Sequence, residues 1–282
     1  MIKVKKNLSN IPKVLQKENR KIAFNNNVIL KKYQDDKNLY KSKTIRKRLI
    51  KIYNSKCGYC EKSLLDSPKH IEHYRPKNGG YYWLSYSWDN LLFSCGECNS
   101  SKSNNFTINN SRVSYLNENF DQIHNLSNNY DILEEPLIIN PEKDDILNQL
   151  YYDKKGCVFS ENVRISHTIN IACNLNRDEL IEKRERIINN FFNLIEGHIL
   201  CFSKDNTYKT VDYGELKKNI KTFINIIKNF MNDTNIKSEF YSLRYFLQEN
   251  IEFFFDDKTT QNVIRHTINL TKKDYNERTT SS

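Results

Sequence analysis

Proline and glycine are scarce in this chain, five and seven among 282 residues, and their placement is uneven. All five prolines (Pro12, Pro68, Pro76, Pro136, Pro141) lie in the first half, so the second half has none of the residues that most strongly break helices. Four of the glycines (Gly58, Gly79, Gly80, Gly96) fall in one short stretch. No run of about 18 apolar residues occurs, which excludes a membrane-spanning helix. The N-terminus alternates lysines with the single apolar residues Ile2 and Val4, and it lacks the apolar segment and cleavage signal of a secretory leader. The expectation is a cytoplasmic protein, whose thiols stay reduced. Acidic residues are in deficit, 34 Asp and Glu against 44 Lys and Arg, for a net charge of +10. That balance permits contact with a polyanion without requiring it, because a Lys-, Asn- and Ile-rich composition is also what an AT-rich genome yields.

Residues 57–102 are what the chain does have. They run Cys57-Gly-Tyr-Cys60, His70-Ile-Glu72-His73-Tyr-Arg75-Pro-Lys77, Trp88-Asp89-Asn90, Cys95-Gly-Glu-Cys98-Asn99 and Lys102. Two CxxC turns, 34 residues apart, offer four soft thiolates to a tetrahedral Zn²⁺. A disulfide or redox pair is the other reading of such cysteines, and it needs an oxidising compartment. Cys157, Cys173 and Cys201 stand apart among apolar neighbours and read as small buried hydrophobes. Between the pairs, a carboxylate beside an imidazole suits metal-assisted hydrolysis: Glu72 to hold Mg²⁺, His73 to take a proton from water. On a strand the two point to opposite faces, so a shared site requires a bend or a bridging ion. Gly58 and Gly96, inside the CxxC turns, read as positive-φ positions.

The pattern CxYC, EHxRPK, WxNLLxSCxxCNxxK resembles the HNH nuclease family, built on a ββα-metal core. More narrowly, it is similar to the nuclease subunit of the Septu anti-phage system and to related retron-associated HNH proteins. The motif covers about residues 57–105. A looser likeness runs over residues 1–185, through the opening MIKVKK…IP, Glu135-Pro-Leu-Ile-Ile-Asn-Pro141 and Leu175-Asn-Arg-Asp-Glu-Leu180. The resemblance implies that His73 is the general base, that Asn90 orients it, and that Glu72 and Asn99 bind the catalytic metal. Asn99 stands where many relatives have His, and an amide oxygen favours a hard ion, Mg²⁺ or Mn²⁺. The resemblance also implies an ABC/SMC-like ATPase partner and a role in defence against phage.

The fold class expected is α+β and mostly α: a ββα-metal HNH core with a CxxC/CxxC zinc site, plus a C-terminal helical segment. Residues 1–56 read as a basic helical segment, in which Ile45, Leu49, Ile52 and Tyr53 share one helical face. Residues 57–110 read as the zinc-stabilised core and 111–175 as a loop-rich linking region with a hairpin near 151–160. Residues 176–272 read as helical and 273–282 as a flexible tail. Asn176 followed by Glu179 looks like a capping box. Three apolar stripes follow: Leu180, Ile187, Phe191, Leu194 and Ile195; then Ile220, Phe223, Ile224, Ile227, Phe230 and Met231; then Phe240, Leu243, Leu247, Ile251 and Phe254. The aromatic run Tyr81, Tyr82, Trp83, Tyr86 and Trp88 reads as a local cluster or as a base-stacking platform. His124, His167, His198 and His266 are single and read as structural or exposed.

Arg75, Lys77 and Lys102 are the candidate nucleic-acid contacts, Lys102 lying one helical turn from Asn99. The function expected is a metal-dependent endonuclease acting on phosphodiester bonds, DNA favoured and RNA possible, with Zn²⁺ structural and Mg²⁺ or Mn²⁺ catalytic. The alternatives are a non-catalytic zinc-binding module that docks nucleic acid or the ATPase, and an RNA-cleaving HNH effector.

Overall fold

A computed structural model describes residues 1, 3–34, 37–203, 213–250, 255, 258, 261–262 and 264–269, without the side chains of 196–203, 213–217, 219 and 220. The expectations for Ile251, Phe254, the tail 273–282 and the side chains of His198, Cys201 and Ile220 lie outside the described residues. The chain forms two compact units, Met1–Tyr151 with Val158–Arg177, and Tyr152–Cys157 with Asp178–Ser282.

In the first unit, helix α1 (Glu18–Leu30) precedes the basic helix α2 (Lys43–Ile52). Ser42 starts α2 by accepting a hydrogen bond from the Ile45 amide at 3.3 Å. Ile45, Leu49 and Tyr53 are buried as the periodicity expects, and Tyr53 packs its ring 6.0 Å from Phe93. Strands β1 (His70–His73) and β2 (Leu91–Ser94) pair antiparallel, His70 opposite Ser94 and His73 opposite Leu91. Helix α3 (Gly96–Lys102) follows β2 at once and packs on β1. This is the ββα arrangement expected. Pro76, three residues past the strand, cannot extend the ladder.

The loop between β1 and β2 folds inward. Tyr81, Trp83, Tyr86 and Trp88 are all buried, which removes these four rings as a base-stacking platform. The indole N–H groups of Trp83 and Trp88 donate to the Tyr130 hydroxyl at 3.3 Å and the Asn7 carbonyl at 3.3 Å. His124 is buried beside them and accepts from the Trp88 amide at 3.1 Å. Helix α4 (Ser127–Glu134) leads into the buried extended segment at Ile138 and Ile139.

Short strands β3 (Tyr151–Tyr152) and β4 (Val158–Phe159) form the expected hairpin. Helix α5 (Val163–His167) follows. The second unit contains α6 (Asp178–Ser203), α7 (Tyr213–Asp233) and α8 (Tyr241–Glu249). Leu180, Ile188, Phe191 and Ile195 of α6 are buried, whereas Leu194 is exposed; Ile188 takes the inward place read for Ile187. Phe223 and Ile227 of α7 and Leu243 and Leu247 of α8 are buried, and Phe191 meets Phe230 at 4.0 Å. Gly156 has φ of 89°, and a Cβ there would lie 2.8 Å from the Ile181 carbonyl. The side-chain amide of Asn176 brackets Val158, accepting from the backbone N–H and donating to the carbonyl, both at 2.8 Å.

Candidate active site and metal centre

Cys57 and Cys60 come from the turn after α2, Cys95 precedes α3, and Cys98 lies in its first turn. All four are buried, free of disulfides, and bring their Sγ atoms within 4.8 Å of one another. Cys60 and Cys95 Sγ are 3.8 Å apart. A tetrahedron with metal–sulfur bonds of about 2.3 Å has edges of about 3.8 Å, so the cluster fits Zn²⁺. The Cys98 amide points at Cys95 Sγ from 3.4 Å, the N–H···S contact such turns use. Neither Gly58 nor Gly96 has a positive φ; the left-handed residue after the first turn is Glu61 at 62°. Gly58 is required by space instead, since a Cβ there would meet the Tyr53 ring at 2.7 Å and the Phe93 carbonyl at 3.2 Å.

Arg177 completes this centre. Its Nη1 lies 3.6 Å from Cys98 Sγ, and its Nη2 lies 3.7 Å from Cys95 Sγ and 3.9 Å from Cys60 Sγ. One guanidinium would offset part of the charge that four thiolates around a metal ion would carry. Burial works against ionising Arg177, yet the sulfurs of Cys98 and Cys60 hold its pKa above the usual range. Cys95 is pulled down to about 6, chiefly by its hydrogen bond with Cys57. Arg177 sits 79 positions after Cys98, so its role is invisible to local spacing.

β1 and α3 bring Glu72 and Asn99 together: the Asn99 amide nitrogen donates to Glu72 Oε2. Glu72 is 3% exposed, and burial raises its pKa against the opposing pull of Lys102. His73 is also buried, and burial lowers its pKa to about 3. Its Nε2 lies 3.0 Å from the Ser85 carbonyl. A carbonyl only accepts, so Nε2 carries the proton and Nδ1 keeps a lone pair. The Tyr40 ring lies edge to face with the imidazole, centroids 4.5 Å apart. No sequence signal singled out Tyr40 or Ser85.

Three candidates meet partners other than those expected. Asn90 does not bond the imidazole. Its Oδ1 accepts from the Arg75 amide at 2.7 Å, and its Nδ2 donates to the carbonyls of Arg75 at 3.0 Å and Leu84 at 3.2 Å. It fixes the backbone just after His73 and just before Ser85, one step removed from the ring. Lys102 is fully buried, its ammonium 2.9 Å from Glu72 Oε1 and 2.8 Å from the His73 carbonyl, which leaves no face for a phosphate. Arg75 is likewise buried, paired with Glu134 and Asp131 at 2.8 Å each and ringed by Tyr74, Tyr81, Phe106 and Tyr130. Both cations are internal struts.

Lys77 is only half-buried. It lines a cavity of about 600 Å³ together with Glu72, His73 and Asn99, and Lys41, Arg46 and Lys69 stand around the same cavity. The carboxylate and amide oxygens of Glu72 and Asn99, with room for water, are the hard donor chemistry that suits Mg²⁺ or Mn²⁺. No helix among the described residues is long and apolar enough to cross a membrane.

Residues 57–105 match the family described as HNH endonuclease. The Septu protein PtuB of Bacillus mycoides (strain KBAB4) is 29% identical over 251 residues, 79% of this chain and 81% of that protein. The Septu protein PtuB of Bacillus thuringiensis is 42% identical over 60 residues, 21% of this chain and 23% of its own length. The Septu protein PtuA of Bacillus mycoides is 30% identical over 162 residues, 53% of this chain but only 21% of that protein. The chain thus carries an HNH domain at residues 57–105 and, along most of its length, resembles a Septu protein PtuB.

Proposed function

We infer that this protein is a metal-dependent HNH endonuclease that hydrolyses phosphodiester bonds, with DNA the favoured substrate, and that it serves as the nuclease of an anti-phage system. One observation carries the reading: Glu72, His73 and Asn99 line one cavity, edged by the cations Lys41, Arg46, Lys69 and Lys77. Burial keeps the His73 imidazole neutral at pH 7, the state that can accept a proton. The Ser85 carbonyl fixes the tautomer, so Nδ1 is the atom that takes the proton from an attacking water. Base assistance of this kind contributes roughly 10²–10⁴-fold. Glu72 and Asn99 would hold Mg²⁺ or Mn²⁺, which when bound offsets the negative charge that grows on the leaving oxygen. Lys102 pulls on the Glu72 carboxylate and the His73 carbonyl together, and Asn90 pins the backbone on either side. The four cysteines would hold Zn²⁺ as a cross-link that anchors hairpin to helix. Lys77, among the residues lining the cavity, would meet a substrate phosphate.

The likeness to Septu proteins supports a partner subunit, an ABC/SMC-like ATPase, in the same cytoplasmic system. Co-purification of the two products, and phage plating with each gene deleted, check that assignment. The activity is tested by incubating purified protein with plasmid DNA, and separately with total RNA, with Mg²⁺ and without. Metal-dependent cleavage of DNA is expected. Cleavage of RNA alone would move the substrate to RNA, and intact nucleic acid in every arm, with the partner present, would leave a binding module in place of a nuclease.

A further inference from the structure

The HNH match begins at Cys57, yet the cavity beside His73 is not closed by HNH residues alone. Tyr40 and Lys41, which precede α2, and Arg46, within α2, also line it and form its N-terminal wall. Tyr40 is 5% exposed, and its ring is the hub of this wall. It meets the His73 imidazole edge to face, centroids 4.5 Å apart, and the ammonium groups of Lys41 and Lys77 each lie 5.7 Å from its centroid. Lys77 also lies 4.4 Å from the Tyr33 ring.

Aromatic faces hold these cations in place without cancelling their charge. Among the described residues, neither Lys41, Lys77 nor Arg46 makes an ion pair. Arg46 Nε is moreover a buried donor with no hydrogen-bond partner. Glu72, the carboxylate among the lining residues, is paired with Lys102. Burial, followed by the repulsion of Lys41, lowers the Lys77 pKa, so the charges are gathered against their own repulsion. Such an arrangement is relieved by an anion entering the cavity.

We propose that Lys41 and Arg46, with Lys77, form an anion subsite that holds a backbone phosphate of the nucleic-acid strand next to the one cut at His73, so that residues 39–46 are part of the substrate site. This rests on the nuclease reading. The subsite recognises phosphodiester charge and not base identity, so it acts on any sequence.

The test is binding of fluorescent 20-nucleotide strands to the full chain without added divalent cation, across a salt series. Single-stranded DNA, duplex DNA and RNA are separate arms. Lys41→Gln and Arg46→Gln are compared with wild type and with Lys155→Gln, an exposed lysine of the second unit. Each subsite variant is expected to weaken binding about 5- to 10-fold and to reduce the slope of log affinity against log salt by about one, with Lys155→Gln unchanged. Unchanged melting temperature and zinc content exclude misfolding as the cause. If wild type binds strands while both variants keep its affinity and salt slope, the subsite is wrong and the nuclease reading stands. If wild type binds no strand in any arm, the subsite is wrong, and the nuclease reading is decided separately by the cleavage assay with Mg²⁺ and the partner.

Discussion

At the scale of single residues, buried charge does most of the positioning. Lys102 and Glu72 form a pair inside the HNH core, 2.9 Å apart, with Lys102 also holding the His73 carbonyl. Removing one partner strands the other's charge away from water, which costs on the order of 3–5 kcal/mol. Lys102→Met is therefore expected to be strongly destabilising in urea, and the double variant Lys102→Met/Glu72→Gln less so. Additive losses would show that the pair is not coupled. His124 adds to the acid sensitivity, beside His73, whose pKa burial lowers further. Burial pushes the His124 pKa down to about 4, below the ordinary 6.5, although Asp89 and Asp121 pull the other way. The unfolded chain then binds the proton first, so stability falls as pH drops from about 6.5 to 4, by roughly 3 kcal/mol. His124→Asn keeps an acceptor for the Trp88 amide but cannot titrate. Its melting temperature should fall less between pH 7 and pH 4.5 than that of wild type; an equal fall assigns the acid sensitivity to other groups.

At the scale of elements, β1 and β2 have four residues each and α3 has seven, too few to hold together by burial alone. The cysteine cluster joins the turn after α2 to the start of α3 and closes the ββα unit from one end. Cys57→Ser and Cys98→Ser are each expected to lose zinc and give insoluble protein; soluble, folded variants with wild-type melting would remove the cross-link from the account. This element was readable because its chemistry is written in local spacing. CxxC turns, the Glu-His pair at the strand end and Pro76 beyond it mark the unit without knowledge of the rest. The roles of Arg75 and Lys102 were not readable. Arg75 finds Glu134 59 residues away and Lys102 finds His73 29 residues back, and no local pattern tells a buried cation from a phosphate-binding one. The contact of Asn176 with Val158, 18 residues back, was unreadable for a related reason.

At the scale of the whole molecule, the first unit gathers the cysteine cluster, the hairpin, the cavity and the N-terminal wall that carries Tyr40 and Lys41. The second unit is built from α6, α7 and α8 around Phe191, Phe223, Ile227 and Leu243, an arrangement its apolar stripes announced. The tyrosine against the imidazole was not announced, since a single Tyr in a basic segment carries no signal until the chain is folded. The account depends on the His73 imidazole being the group that accepts the proton. The direct measurement is the metal-dependent cleavage rate of His73→Ala against wild type on the same nucleic acid, with zinc content and melting temperature recorded for both. A rate lower by 10²-fold or more, with zinc and melting unchanged, is the predicted result; a folded, zinc-loaded His73→Ala that cuts at the wild-type rate contradicts it.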